Sequence, residues 1–371
     1  MEGSSRVLFS PILGLEGLAD PGRTVVLTDS VVRRHVPREY PDGRIVEIPQ
    51  GEAAKSMDCL AEVYARFLEL GLGRGGTVLA VGGGSVSDLA GFAASTWMRG
   101  VDFGFAPTTV LAMVDASVGG KNGIDFGGYK NLVGTFRLPR FVLVDTSLLA
   151  TLPAREAASG LVEAVKHAVI EGPDHMALLE RAIPSRPEGV PFALPDDPEA
   201  LAEVIARSVR LKAGIAAADF RDEGERRLLN LGHTAGHAVE AVTGLPHGEC
   251  VAAGLSFALG LAVRRGGSVE GARRVLDLLG RLGVPKSLEE ARLAASSSYR
   301  CAAAAALKSS APDPAVLEDP ASFRAAAAGA LRADKNRTGG TVSFALPLAP
   351  GSVEIIALGL EEIRAYMREA P

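Results

Sequence analysis

Cysteine is scarce in this 371-residue chain: Cys59, Cys250 and Cys301 are the only three, odd in number and far apart. That excludes a disulfide framework and a cysteine-built zinc site, and leaves buried or neutral thiols, Cys250 being notable only for lying three residues after His247. A basic excess is also missing, with 39 lysines and arginines against 44 aspartates and glutamates. Such a balance does not track a nucleic-acid backbone, so nucleic acid is not an expected partner. No apolar run reaches the roughly eighteen residues of a membrane span. The opening "MEGSSRVLFS" has no basic segment leading into an apolar one, as a secretory signal would. The expectation is a soluble, cytoplasmic protein. No repeat with a period of about 20 to 50 residues recurs, which excludes a solenoid or propeller. Histidine is equally sparse at six residues, yet His233, His237 and His247 all fall within "LNLGHTAGHAVEAVTGLPHGEC".

Apolar residues make up 47% of the chain, ample for packed cores, and the length calls for two domains or one large enzyme unit. "TVVLTDS" and "TVLAVGGG" read as buried strands that end in polar or glycine turns. Between them Met57, Leu60, Ala61, Tyr64, Phe67 and Leu68 recur at helical spacing, with Gly71 or Gly73 as the stop. This strand–helix–strand pattern predicts a largely parallel sheet with covering helices. After about residue 153 the texture turns helical, in "REAASGLVEAVKHAVIEG", "EALAEVIARSVRLKAGIAAADF" and "GHAVEAV", before "TVSFALPLAPGSVEIIALG" returns to strand. The expected organisation is an α/β domain over residues 1–152 and a mostly α-helical domain over 153–371. Proline-rich surface excursions are expected near 183–198 and 308–323.

Three stretches carry chemistry. In "VLAVGGGSVSDLAGFAAS", Gly82, Gly83 and Gly84 follow a strand and precede a helix whose bare N–H groups suit an anion such as a dinucleotide pyrophosphate. The spacing departs from the usual Rossmann fingerprint, and a triple glycine alone is as often a structural turn. Asp29 ends an earlier strand where a ribose hydroxyl would need an acceptor, Glu52 and Lys55 open the following helix, and Asp88 lies one turn beyond the glycines. The second stretch, "APTTVLAMVDASVGGKNGIDFGGYKNLVGTF", reads as a glycine-rich loop bearing Asp115, Lys121, Lys130 and Asn131. Glycines allow close approach of backbone to ligand, and the lysines supply point charges, so a phosphate or polyhydroxy-acid site is favoured over a solvated loop.

The third is the histidine cluster. His233 and His237 are four apart and share a helical face, and His247 can return across a short loop. A catalytic zinc takes three nitrogen or oxygen ligands, so a further ligand must come from elsewhere; "GLVEAVKHAV" offers Glu163, with Lys166 and His167 on the same face. Spacing alone leaves open which histidines bind.

These motifs, with "YKNLVG", "TLPAREAASGLVEAVKHA", "HGECVAAG" and "DKN", make the chain resemble the 3-dehydroquinate synthase family of the sugar phosphate cyclases from about residue 24 to 350. The resemblance implies an N-terminal Rossmann-like NAD-binding domain, a mostly helical C-terminal metal-binding domain, an active site between them and a homodimer. It implies zinc, with cobalt able to substitute, on Glu163, His233 and His247, leaving His237 to handle protons. Catalytic roles are implied for Lys121, Lys166, Arg226, Asn230 and His237. Substrate contacts are implied for these and for Asp115, Asn131, Lys212 and Lys335, with Arg99 reaching a neighbouring subunit's site. NAD contacts are implied for Asp29, Glu52, Lys55, Gly83, Gly84, Ser85, Asp88, Thr108, Thr109, Asp115, Lys130 and Thr151. The implied substrate is a phosphorylated sugar acid, 3-deoxy-D-arabino-heptulosonate 7-phosphate, cyclised to 3-dehydroquinate with loss of phosphate and no net use of NAD. The chain departs from the family's pattern at Asn336, Phe220 and Ala235.

Alternative readings are a sister cyclase, an iron-type alcohol dehydrogenase and a non-catalytic sugar-acid sensor. Among the cyclases, Arg226, Asn230 and His237 disfavour a 2-epi-5-epi-valiolone synthase, whereas an aminodehydroquinate synthase of a natural-product pathway stays open. Glu163 with His167 four residues on could mimic the dehydrogenase pair, but simple alcohols need no pocket of lysines.

Overall fold

The computed structural model describes residues 5–185, 192–194, 197–302, 313–333 and 337–369. Lys335 and Asn336 therefore lie outside the described residues, as does much of the two proline-rich segments. The described chain forms two compact units, one of residues 1–157 and 212–221, the other of residues 158–211 and 222–371.

The first unit is built on a six-stranded parallel sheet of β1 (Arg6–Phe9), β2 (Thr24–Asp29), β3 (Ile45–Ile48), β4 (Thr77–Gly82), β5 (Asp102–Pro107) and β8 (Phe141–Val144), in the order β1-β8-β5-β4-β2-β3. Every residue of β2 and β4 is buried, as the apolar centres of both strands, Val25–Leu27 and Val78–Val81, predict for a sheet covered on both faces. Helix α1 (Met57–Glu69) starts where the Ser56 hydroxyl accepts from Cys59 N–H at 3.1 Å. Its buried line is Cys59, Leu60, Val63 and Phe67, while Met57 and Leu68, counted in the helical stripe, are exposed. Glu52 and Lys55 do not open that helix; Glu52 lies in a separate 3-10 turn, Gly51–Ala54, that Lys55 closes. Helix α2 (Gly84–Thr96) covers β4 and β5. The glycine-rich loop is also corrected: residues 121–136 form an antiparallel hairpin, β6 (Lys121–Phe126) and β7 (Tyr129–Phe136), turned by Gly127 and Gly128 at φ +60° and +83°.

The second unit takes most of α3 (Ala154–Glu171) and α5 (Pro198–Ala218), together with α4 (Pro173–Ala182), α6 (His233–Thr243), α7 (His247–Arg264), α8 (Val269–Leu282), α9 (Leu288–Ala302), α10 (Pro314–Glu318), α11 (Pro320–Ala330) and α12 (Leu360–Glu369). An antiparallel sheet of β9 (Arg337–Thr338), β10 (Thr341–Ala349) and β11 (Ser352–Gly359) completes it. The described part of the expected excursion at 308–323 is helical rather than loose, with Leu317 and Phe323 buried.

Helices α6 and α7 meet backbone to backbone. A Cβ on Gly254 would collide with the Gly232 carbonyl and reach Gly236 Cα at 2.9 Å, and one on Gly236 would lie 3.0 Å from the Cys250 carbonyl. Those obstacles are main chain and cannot swing aside. Gly254→Ala is expected to cost about 1–3 kcal/mol, read as a lower midpoint in urea or thermal unfolding.

His175 on α4 is fully buried, with Nδ1 2.7 Å from Glu171 Oε2, while Arg207 Nε donates to Glu171 Oε1 at 3.0 Å. Burial lowers the imidazole below its ordinary 6.5, against the pull of Glu171. Below that value the unfolded chain takes up a proton that the native protein refuses. Stability is thus full above pH 6.5 and declines as the pH falls beneath it. Unfolding curves between neutral and mildly acidic pH should show this decline, and His175→Gln should make it shallower.

Candidate active site

In the first unit the chain leaves β2 for β3 on one side, whereas β4 is followed by β5 on the other, so the strand order reverses between β2 and β4. Open parallel sheets take ligands at the carboxyl ends of the strands flanking such a reversal. Those ends are Asp29 and Gly82. Asp29 Oδ1 accepts from the N–H groups of Val31 and Val32 at 2.9 and 3.0 Å, shaping the turn after β2. Helix α2 begins at Gly84 with Gly83 as its N-cap and no side-chain cap, which leaves its first N–H groups to another acceptor. Ser85 lies in that first turn. Space is tight: a Cβ on Gly83 would sit 3.4 Å from Thr109 Cγ2, and one on Gly84 3.2 Å from Ala116 Cβ. Just past β5, the buried Thr108 hydroxyl has no hydrogen-bond partner, although its N–H donates to the Gly82 carbonyl at 2.9 Å.

Beside this crevice Lys55, only 4% exposed, gathers several predicted residues. Its Nζ lies 3.0 Å from Asp88 Oδ2, 3.3 Å from Glu52 Oε1 and 3.9 Å from Asp125 Oδ1, and donates to Asn131 Oδ1. Lys130 Nζ is 3.9 Å from the same Glu52 oxygen. Burial pushes Asp88 up to about 6 against the attraction of Lys55. Lys55 is raised because its carboxylates outweigh its burial. Asp125, absent from the sequence-derived set, also holds Asn131 N–H at 2.8 Å and so fixes that residue's left-handed backbone, φ +52°.

Asp115 sits in a single π-helical turn, Ala112–Ala116, where Ser117 N–H and Oγ both donate to the Ala112 carbonyl at 3.0 and 2.7 Å. Isolated π turns of this kind often shape functional sites. Lys212 Nζ is 2.8 Å from Asp115 Oδ1 and also donates to the Asp115 carbonyl. Lys121 opens β6 opposite Phe136. Two further predicted residues lie in other elements of the first unit. The exposed Thr151 ends a 3-10 turn and lies near His35, and Arg99, at φ +69°, is exposed past the far end of α2, about 20 Å of helix from the glycines.

In the second unit α3, α6 and α7 bring Glu163, His233 and His247 together. Glu163 is fully buried, and Lys166 Nζ pairs with its Oε2. His233 Nε2 and His247 Nε2 stand 3.7 and 3.6 Å from Oε1. These separations are too long for hydrogen bonds and suit three ligands around one cation. Each imidazole is oriented from behind. His233 Nδ1 donates to the Leu231 carbonyl at 3.1 Å, and His247 Nδ1 is 3.2 Å from Glu240 Oε2. Burial opposes ionisation of Glu163, but Lys166, His233 and His247 outweigh it and hold the carboxyl well below its usual range. Burial, then Lys166, lowers His233 well below an ordinary imidazole. For His247 burial is overcome by Glu163 and Glu240, which raise it to about 10.

The His237 ring meets His233 edge-on at 5.2 Å and lies tilted 5.9 Å from His247, and Lys166 and Arg226 are buried. Asn230 ends the same 3-10 turn as Arg226. His167, on the face of Glu163, is buried too, and Cys250 is a buried thiol donating to the Leu245 carbonyl at 3.6 Å. The residue the sequence missed is Glu240. It lies seven positions before His247, and only the turn between α6 and α7 brings the two together.

A Rossmann-like parallel sheet in one unit and a mostly helical second unit are the fold of the dehydroquinate synthase-like cyclases. The structure of 2-epi-5-epi-valiolone synthase from Streptomyces hygroscopicus subsp. jinggangensis 5008, with NAD+ and Zn2+ bound, has a TM-score of 0.76 to this chain at 26% identity, over 99% of this chain and 96% of that one. A 2-deoxy-scyllo-inosose synthase complexed with carbaglucose-6-phosphate, NAD+ and Co2+ has the same fold, with a TM-score of 0.74 at 23% identity over 99% and 96% of the two chains. Residues 45–159 match the family model for the N-terminal part of 3-dehydroquinate synthase, and residues 160–304 match that for its C-terminal part. The 3-dehydroquinate synthase of Symbiobacterium thermophilum is 38% identical over 331 residues, 86% of this chain and 82% of that protein. The chain belongs to the 3-dehydroquinate synthase family, and the lyase-type cyclase reaction of that family is the function these matches support. Among the described residues no helix is long and apolar enough to cross a membrane.

Removing Glu240 takes the carboxylate from behind His247 and leaves the Glu163, His233 and His247 side chains in place. Glu240→Ala is expected to weaken zinc affinity about 10- to 100-fold in chelator competition.

Proposed function

We propose that the protein converts 3-deoxy-D-arabino-heptulosonate 7-phosphate into 3-dehydroquinate and phosphate, using NAD in the crevice of the first unit and a zinc or cobalt ion on Glu163, His233 and His247. The observation that carries this reading is Glu163: a fully buried carboxylate whose Oε2 pairs with Lys166 and whose Oε1 faces two imidazole Nε2 atoms. When bound, the two cofactors supply a Lewis acid and a reversible hydride acceptor.

The remaining chemistry belongs to the side chains. Lys121, Lys166, Lys212, Arg226 and Lys335 match a substrate with a carboxylate at one end and a phosphate at the other. Lys166 and Arg226, 1% and 3% exposed, would hold an anion with little competition from water. Asp115, Asn131 and Asn230 serve the substrate hydroxyls, and His237 carries protons. The Asp29 carboxylate, the Gly83–Gly84–Ser85 turn and the orphan Thr108 hydroxyl, with Thr109, suit the ribose and pyrophosphate of NAD. Glu52, Lys55, Asp88, Asp115, Lys130 and Thr151 complete its contacts in this reading. The protein works as a homodimer, with Arg99 serving the neighbouring subunit.

Phosphate release should be measured from the named substrate with zinc and far less NAD than substrate. Many phosphates per NAD with no build-up of NADH absorbance is the expected result, since the hydride returns within each turnover. Glu163→Ala should lose bound zinc and activity together. An inactive, zinc-loaded, NAD-bound wild type would overturn the substrate assignment.

A further inference from the structure

Residues 212–221 belong to the first unit although the residues on both sides belong to the second, and they deliver two side chains there. Lys212 reaches Asp115; the other is Phe220. The Phe220 ring meets Phe136 edge-on, with centroids 5.9 Å apart and planes at 63°. It also packs on Gly120, where a Cβ would come within 3.0 Å of Phe220 Cε2 and where φ is +74°. Gly120 immediately precedes Lys121, and Phe136 is the residue across the ladder from Lys121. The Lys121 ammonium stands 6.0 Å from the Phe136 ring centroid. Phe220 therefore touches both the backbone that leads into Lys121 and the ring beneath its charge. Phe136 is 42% exposed, so hydrophobic burial alone gives a weak reason for an aromatic ring there. A ring face attracts a cation through its quadrupole, and an edge-on neighbour fixes the tilt of that face.

We propose that Phe136 and Phe220 are positioning residues that hold the Lys121 ammonium at a fixed place for the anionic group of the substrate. The proposal rests on the assignment of Lys121 to the substrate, so its test includes a readout independent of catalysis. Phe136→Leu, Phe136→Tyr and Phe220→Leu would be prepared as NAD- and zinc-loaded enzymes. For each, KM and kcat would be measured together with the rate of Lys121 acetylation by acetic anhydride, followed by mass spectrometry. Phe136→Leu is expected to raise KM about fivefold and leave kcat within about twofold, the scale of a partly exposed cation–π contact. Phe136→Tyr, which keeps the ring face, should restore KM. Phe220→Leu should raise KM as well, and both leucine variants should acetylate faster at Lys121. Unchanged KM and unchanged acetylation in both leucine variants would overturn the proposal, as would a Phe136→Tyr enzyme no better than Phe136→Leu. Faster acetylation with a wild-type KM, in a background where Lys121→Ala also keeps its KM, would uphold the positioning and remove Lys121 from the substrate.

Discussion

The contact between the main chains of α6 and α7 governs the second unit. Gly232 at φ +79°, Gly236 and Gly254 leave no side chain between the two helices. Both helices begin with a metal-ligand candidate, His233 on one and His247 on the other. Gly248, the residue after His247, rests on the backbone of Ser159 in α3, the helix that carries Glu163. Three ligand-bearing helices are thus registered by sterics before any charge is considered. Electrostatics then adds to this, since Lys166, His233 and His247 outweigh burial and favour the ionised form of Glu163.

The two units handle buried charge in different ways. In the first, Lys55 meets three carboxylates, Glu52, Asp88 and Asp125, so that acid outnumbers base even with Lys130 on Glu52. In the second, Glu163 has Lys166 on one oxygen and only distant imidazoles on the other. The second centres on a single buried carboxylate with a lysine and two imidazoles around it.

Much of the fold was legible because burial leaves period and length in the sequence. β2 and β4 have continuous apolar centres, and α3, α5 and α6 carry their own periodicity. Met57 and Leu68 misled because helical spacing reports which residues share a face, not whether that face is covered at its margins. The hairpin of residues 121–136 was hidden by its glycines, which loosen local preference while the cross-strand register from Lys121 to Phe136 fixes the structure. Within the site, residue types announced themselves where they cluster along the chain, as the histidines do. Glu240 and Asp125 were missed because each acts through a partner that only tertiary structure brings near.

The path of the chain between the units has a consequence for modularity. The polypeptide passes from one unit to the other after residues 157, 211 and 221, and the second of these passages falls inside α5. Neither unit is a single continuous stretch of sequence, so neither can be excised or exchanged by one cut. A fragment ending at residue 157 would carry the glycine turn and the hairpin but lose Lys212 from Asp115 and Phe220 from Phe136. Recombination that trades whole N-terminal halves between related cyclases would separate these partners in the same way, so residues 212–221 have to travel with the half they serve.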